Sequence, residues 1–511
     1  MRQLSKSKII AFRQCPKRLW LEVHRPDLRE DSAASQAKFS VGYQVGDIAQ
    51  HIYDPEGTGA KIDVDLEGFE TAFERSRALL ETAEGPIFEA GLCIPGALAF
   101  ADVMLPVKNE ATERHAWRMI EVKSSTSLKD YHKDDIAVQA YIAIASGVEL
   151  KGVALAHIDS NWVYPGGGDY RGLLKEIDLT SEALARAEEI ATWIEAAQSI
   201  VEGSTAPDVA VGPQCTQPFE CGFCRHCHPA PVETPFPLDW LPRLNGGKKA
   251  ALLERNIMDM SQIPADSLNG RQKRVRDCTV NNRVWFDAEG AAKDLASFGF
   301  PAYFLDFETI SFTIPIWKGT RPYEKIPFQF SLHVLDSAGQ LSHQGFLDLS
   351  GEDPSEAFAR ELIQRCGSEG PVFVYNAGFE KGRICELANR FPHFAASLMA
   401  IHKRIVDLLP IARNRYYHPS QHGSWSIKSV LPAVCPDLRY SNLEGVQDGG
   451  MAMDAFMESI APVTTPERKE AIQRELTAYC CLDTLAMVRL WAFFSGRTGC
   501  PIGSLHQWTQ L

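Results

Sequence analysis

The stretch PAYFLDFETI, residues 301–310, sets two carboxylates in an otherwise apolar run. Residues two apart on a strand share a face, so Asp306 and Glu308 point the same way. The residues on either side are of types normally found buried. A buried carboxylate without a partner is costly, so this strand calls for a balancing group such as a metal ion. An ordinary sheet edge can also carry two acids, but it does not explain apolar flanks on both sides.

From FGFPAYFLDFETI onward, strands alternate with helices, as in an α/β domain. PVFVYNAGFEKGRI reads as an apolar strand running into a helix, with Asn376 and Glu380 near the junction. KRIVDLLP places Asp407 at the end of a further short strand. IQRELTAYCCLDTLAMVRLW reads as a helix, because Leu476, Tyr479, Leu482 or Asp483, Met487 and Leu490 recur at steps of three and four. Tyr479 and Asp483 are four apart on it and share a face. Cys480 and Cys481 rotate away by ~100° and ~200°. They are expected to pack in the core or against the sheet, off the face of Tyr479 and Asp483.

Two strand carboxylates, a strand–helix carboxylate and a helical Tyr-x-x-x-Asp resemble the DEDD exonucleases of the RNase H-like class, tyrosine subtype. The resemblance covers about residues 300–495. It implies that Asp306, Glu308, Glu380 and Asp483 hold two Mg²⁺ or Mn²⁺ ions around the attacking water and the leaving oxygen, with Tyr479 orienting the water. One departure is Glu380, where the family carries Asp.

The first part of the chain has a second acidic pattern. ALAFADVMLPV and AWRMIEVKSS read as strands separated by a polar turn, NEATERH. Glu121 and Lys123 share a face, and Asp102 can meet them if the strands pair. DDIAVQAY reads as a helix with Asp135 and Gln139 on one face. Taken alone, Glu-x-Lys is more often an exposed strand edge with a salt bridge. The order of strand Asp, strand Glu-x-Lys and helix Gln resembles the RecB-type branch of the PD-(D/E)xK nucleases. There Asp102, Glu121 and Lys123 would be catalytic, the two carboxylates would hold Mg²⁺ or Mn²⁺, and Gln139 would support the site. The histidine that often precedes them has no clear counterpart, His51 lying one position past the register set by Gly42.

Cys15 stands just before Pro16, where a helix would stop, below Ser5 and Ser7 as candidate caps. Far along the chain CTQPFECGFCRHC brings Cys215, Cys221, Cys224 and Cys227. This lone cysteine and distant group resemble the iron–sulfur members of the same branch. The resemblance implies a [4Fe–4S] cluster on Cys15, Cys215, Cys221 and Cys227, with Cys224 spare. The alternative is a local Zn²⁺ knuckle of Cys221, Cys224 and Cys227 with His226 or His228.

A chain of 511 residues accommodates two or three domains. The expected division is α/β throughout: residues 1–232 as a PD-(D/E)xK restriction-endonuclease-like domain, 233–298 as a small helical linker, and 299–511 as an RNase H-like domain. The linker's Asn245-Gly246-Gly247 turn before Lys248 and Lys249 resembles a helix–hairpin–helix, whose backbone N–H groups suit a phosphate; a plain helical linker reads equally well. The net charge of −13 excludes a global basic field, so nucleic acid would need a local basic groove or bound metal. The basic N-terminus lacks the apolar core of a signal peptide, and no run is expected to span a bilayer, so a cytoplasmic protein without a membrane partner is expected. In that compartment the thirteen cysteines are expected to be metal ligands or buried apolar residues.

The whole arrangement resembles an uncharacterised bacterial fusion family. It implies a metal-dependent nuclease acting on nucleic acid, DNA ends above all, in repair, recombination or phage defence, with a helicase or defence-system partner. A nucleic-acid-binding scaffold or redox regulator with degenerate sites, and RNA as substrate, are the alternatives. GTRPYEKIPFQFSLHVL and GSWSIKSVLP are further signatures, and Lys428 is placed near substrate.

Overall fold

The structure is a computed structural model that describes residues 1–107, 115–228 and 234–497. It is mixed α/β, about half of it helical. Most of the NEATERH turn and part of the Pro-rich stretch after Cys227 lie outside the described residues. Two compact units are present: Met1–Pro231 with Phe312–Glu324, and Val232–Ser311 with Lys325–Leu511.

This division departs from the expected one in two places. The helical stretch from residue 233 is not a separate linker. Its Leu238, Leu241, Met260 and Val275 share a core with Phe304 and Phe373 of the second unit. Residues 312–324, expected within the second domain, belong to the first unit. Backbone bonds hold them there: Tyr164 donates to Thr320 (2.9 Å) and accepts from Gly319 (2.8 Å).

The first unit opens with helices α1 (Lys6–Gln14), α2 (Pro16–His24), α3 (Ala33–Tyr53) and α4 (Phe69–Thr82). Ser5 precedes α1 without a side-chain cap, and Pro16 starts α2 at once, so Cys15 sits in extended backbone between the two helices. Strands β1 (Ile87–Ile94), β2 (Ala97–Val107) and β3 (Ala116–Lys123) form an antiparallel meander. Helix α5 (Asp130–Ala145) then crosses over to β4 (Glu149–Ile158), parallel to β3, and β5 (Leu174–Asp178) closes the edge before α6 (Ala187–Glu202). Trp117, Met119, Ile136, Ile142 and Leu155 fill the core between sheet and helices.

The second unit begins with α7 (Gly246–Glu254) and α8 (Gly270–Val280). Its sheet consists of β6 (Ala302–Ser311), β7 (Lys325–Leu335), β8 (Leu341–Leu347), β9 (Val372–Val374) and β10 (Ile405–Asp407), in the order 8-7-6-9-10. Strand β7 is antiparallel to β6 and β8, while β9 is parallel to β6 and β10. Helix α9 (Gly378–Arg390) follows β9, α10 (Leu409–Arg415) follows β10, and α11 (Ile427–Val434) and α12 (Pro466–Phe494) complete the unit. Strand β6 is buried on both faces. Tyr303, Leu305 and Phe307 pack against Phe358 and Ile384, while Phe304 packs against Phe373 and Trp491 of α12.

Helix α12 is the one described helix long and apolar enough to cross a membrane, where the sequence suggested none. Its apolar stretch is 78% buried inside the protein, so it is a core helix. The turn before β9 depends on Gly370, whose φ is +82° and whose added Cβ would stand 1.9 Å from the Pro301 carbonyl. Gly370→Ala should therefore cost about 2 kcal/mol or more, read as a lower urea midpoint; an unchanged midpoint would mean that the turn can move aside.

Candidate functional sites

In the first unit the paired register of β2 and β3 ends at Val103–Ile120. Asp102 and Glu121 are the next positions on their strands. The register on either side of Glu89, which has φ +56°, sets it opposite Asp102 in turn. Three adjacent strands thus contribute a row of carboxylates. The strands part here: Asp102 Oδ2 accepts from the backbone N–H of Val122 at 2.6 Å. Glu121 Oε1 accepts from Lys123 (2.5 Å) and from Lys6 of α1 (2.7 Å). Lys123 also pairs with Asp135 of α5 at 2.7 Å, and Lys6 with Asp135 at 3.4 Å. Gln139, one turn on, donates to the Phe100 carbonyl at 2.6 Å and braces β2.

Burial, then the charge of Asp102, pushes Glu121 up to about 7. Burial works the same way on Asp135, but Lys123 and Lys6 outweigh it and hold Asp135 low. Glu121 Oε2 is buried with no hydrogen-bond partner among the described residues. Asp102 and Glu121 therefore suit a hard divalent cation, with the orphaned oxygen as one ligand. His51 is exposed and bonds to the Asp47 carbonyl of its own helix at 2.8 Å, away from this group.

Cys15, Cys215, Cys221, Cys224 and Cys227 line one small pocket, with Leu21 and Phe223. Cys224 Sγ donates to the Cys215 carbonyl at 3.2 Å. Gln14 ties the two distant stretches together by donating to the carbonyls of Gln214 and Phe219, both at 2.7 Å. Among the described residues no three thiols lie within 4.8 Å of one another. His226 and His228, the histidines of the alternative knuckle, are exposed. Burial raises the Cys221 and Cys227 thiols, which disfavours free reactive thiolates.

In the second unit β6 and β9 pair only at Tyr303–Val372 and Phe304–Phe373. Beyond that point the strands separate, and Asp306 and Glu308 face the gap on the side of Phe304. Helix α12 supplies Asp483 from above. Ligand oxygens of Asp306, Glu308 and Asp483 all lie within 4.8 Å of one another. Burial, then the charge of Asp483, pushes Glu308 up to about 8 and Asp306 well above the carboxylate range. Burial also raises Asp483, to about 6, tempered by a 2.5 Å hydrogen bond from Tyr440 and by Tyr479 and Lys428. Three acids this close, Glu308 and Asp483 buried and Asp306 half-buried, with no salt bridge to any of them among the described residues, suit a divalent cation.

Glu380 stands outside the 4.8 Å group. It is buried, burial pushes it up to about 8, and its charge reaches Asp306. Its Oε2 has no hydrogen-bond partner among the described residues. Asp407 is structural: it accepts the N–H groups of Asn376 (2.9 Å), Ala377 (3.1 Å) and Leu409 (2.9 Å), fixing the turn into α9.

The helix placed its cysteines differently from the expectation in one respect. Cys480 and Cys481 are both buried, as expected, but Cys480 Sγ lies 3.9 Å from Asp306 Oδ2. Cys480 is ~100° from Tyr479 but only ~60° from Asp483 around the helix, so it faces the sheet that carries Asp306. Thr484, next to Asp483, bonds to Ser331 (2.7 Å) and His333 (2.8 Å) of β7 and locks the rotation of α12. Lys6, Glu89 and Tyr440 were not legible. Lys6 reads as one of several N-terminal cations, and Tyr440 lies in an irregular stretch without periodicity. Lys428 Nζ sits 5.0 and 5.1 Å from the rings of Tyr440 and Tyr479, beside the acids.

Residues 303–426 match a family described as a domain of unknown function, DUF2779. The chain is 27% identical over 210 residues to the uncharacterized protein MG366 of Mycoplasma genitalium, covering 37% of this chain and 31% of that protein. It is 26% identical over 210 residues to the MG366 homolog of Mycoplasma pneumoniae, with the same coverage of 37% and 31%. The chain thus spans about a third of the length of these relatives.

Carboxyls raised in the folded state contribute stability that is fully present below the unfolded value of about 4 and is lost as pH rises through the folded values. For Asp483 and Glu308 these are about 6 and about 8. Metal-free protein should therefore unfold at progressively lower temperature as pH rises across that window. Mn²⁺ should restore more stability at its upper end than at its lower end. Glu308→Gln with Asp483→Asn should flatten the profile, and an unaltered profile in that variant would exclude these acids as its origin.

Proposed function

We propose that this chain is a metal-dependent nuclease with two active sites. The observation that carries the reading is the convergence of half-buried Asp306 with buried Glu308 and Asp483 on one space, with no salt bridge to any of them among the described residues. The strand order 8-7-6-9-10, with β7 antiparallel, supports an RNase H-like fold for the second unit. The meander, crossover helix and parallel strand of the first unit support a PD-(D/E)xK fold. Divalent cations held by Asp306, Glu308 and Asp483, and by Asp102 and Glu121, would acidify a nucleophilic water and offset charge on the phosphate. Glu380 would join the first set by a modest approach of its side chain. Tyr479 orients the water, Tyr440 fixes Asp483, and Lys123 balances charge that develops on the phosphate. The five-cysteine pocket would hold a [4Fe–4S] cluster through Cys15, Cys215, Cys221 and Cys227, cross-linking the beginning and end of the first unit. Cytoplasmic action on DNA or RNA ends follows from this reading.

The test is cleavage of 5′-labelled single- and double-stranded DNA and RNA with Mg²⁺ or Mn²⁺. Asp483→Asn should reduce 3′→5′ digestion by orders of magnitude, and Tyr479→Phe by about 10²-fold. In the Asp306→Asn, Asp483→Asn background, Lys123→Ala should remove the remaining cleavage. Full activity in these variants would refute the assignment.

Protein purified without oxygen should be brown and contain iron and acid-labile sulfide, both lost in Cys15→Ser. Stoichiometric zinc without iron would refute the cluster.

A further inference from the structure

A cleft of about 760 Å³ opens in the second unit, bounded by Arg243, Arg271, Arg413, Tyr375, Asn376 and Trp425. Its basic residues come from three separate stretches: the segment before α7, the start of α8, and α10. None of the residues that line it is acidic. Some arginines of this unit are paired with carboxylates, as Arg415 is with Asp287 at 2.6 Å and Asp294 at 2.9 Å, and others are spent on backbone carbonyls, as Arg404 is on those of Gly370 and Gly367, both at 2.7 Å. Among the described residues, Arg243, Arg271 and Arg413 have no such partner. Burial, then the charges of Arg413 and Arg243, lowers the Arg271 guanidinium. Arg271 lies over the Trp425 ring at 5.9 Å. Three guanidiniums facing one another in a protein of net charge −13 repel one another until an anion arrives. Planar, multidentate donors of this kind match phosphate.

Gly423, which lines the cleft, lets its loop pack directly on the backbone of Trp240. Gly423 has φ +77°, and a Cβ there would stand 1.7 Å from the Trp240 carbonyl. Two stretches that line the cleft lead along the chain to residues of the carboxylate site. Tyr375 and Asn376 form the turn from β9 into α9, which carries Glu380. Ser426 and Ile427 line the cleft, and the next residue is Lys428, whose ammonium lies beside Tyr440 and Tyr479.

We propose that this cleft holds the phosphate backbone of a single-stranded nucleic acid whose end reaches the carboxylate site, with Arg243, Arg271 and Arg413 as the phosphate contacts. It rests on the nuclease reading of that site. The volume suits a few nucleotides of one strand, and a charged groove with an aromatic wall binds such a strand with little sequence preference. A duplex is too broad to enter it.

The test uses the full chain carrying Asp306→Asn and Asp483→Asn, so that probes are bound and not cut. Anisotropy of fluorescein-labelled oligothymidylate and oligouridylate, a dozen nucleotides long, is followed over a series of KCl concentrations without divalent metal. Each of Arg243→Ala, Arg271→Ala and Arg413→Ala should weaken binding about 10-fold, the scale of one charge-assisted hydrogen bond. The triple variant should lower the slope of log affinity against log salt by about 2, at about 0.7 per phosphate contact. Arg243→Glu, at an exposed position, should weaken binding further while leaving the unfolding temperature unchanged. Unaltered affinity and slope in the triple variant, or no binding by the parent, would overturn the proposal. So would equal, arginine-dependent binding of a duplex of the same length. Cleavage by the chain with its acids restored is scored separately. Arginine-dependent binding together with digestion unaffected by Asp483→Asn would leave the cleft in place and remove the nuclease reading of the carboxylates.

Discussion

The second unit is organised around the cost of burying like charges together. Asp306, Glu308 and Asp483 are brought within 4.8 Å in a site that burial has largely closed to water. Only the rigidity of the surroundings holds them there. Strand β6 is packed on both faces and cannot slip, because a shift of one residue would turn Asp306 and Glu308 into the apolar layer of Phe358. Helix α12 cannot rotate, because Thr484 is bonded to β7 and because Leu476 accepts from Gln329 at 2.9 Å. Tyr440 spends its hydroxyl on Asp483. Such an arrangement sacrifices stability at one spot for a site prepared to receive positive charge.

Both units open their sites by the same device. A pair of strands runs in register through the core and then separates where the carboxylates emerge. In the first unit the separation follows Val103–Ile120, and in the second it follows Phe304–Phe373. Unpaired backbone is left at each gap. Val122 gives its N–H to Asp102 in one case, and Asp407 gathers three N–H groups in the other. Crevices at strand ends of this kind are the usual place for ligands on α/β sheets.

The two sites differ in how charge is balanced before any ligand arrives. In the first, Lys6 and Lys123 already meet Glu121 and Asp135. In the second, balance comes from tyrosine hydroxyls and from the more distant Lys428, and the acids bear raised affinities for protons instead. The complementary imbalance lies in the arginine cleft, where positive charge is left without a carboxylate.

The sequence alone determined which residues share a face. Period two on β6 aligned Asp306 with Glu308, and period 3.6 on α12 aligned Tyr479 with Asp483, because these relations are fixed by local backbone geometry. Order along the chain was enough to select Asp102, Glu121 and Lys123 as a group. Tertiary structure decided what such geometry leaves free. How α12 lies across the sheet brought Cys480 against Asp306, although the helix wheel turns it ~100° from Tyr479. The packing of residues 233–298 into the second core removed the expected linker, since its apolar residues are too scattered to signal a shared core by periodicity. Lys6 reaches Glu121 across 115 residues of chain, Tyr440 reaches Asp483 across 43, and Glu89 is set opposite Asp102 by strand pairing. No local pattern encodes such distances, because they are set by which surfaces of separate elements pack together.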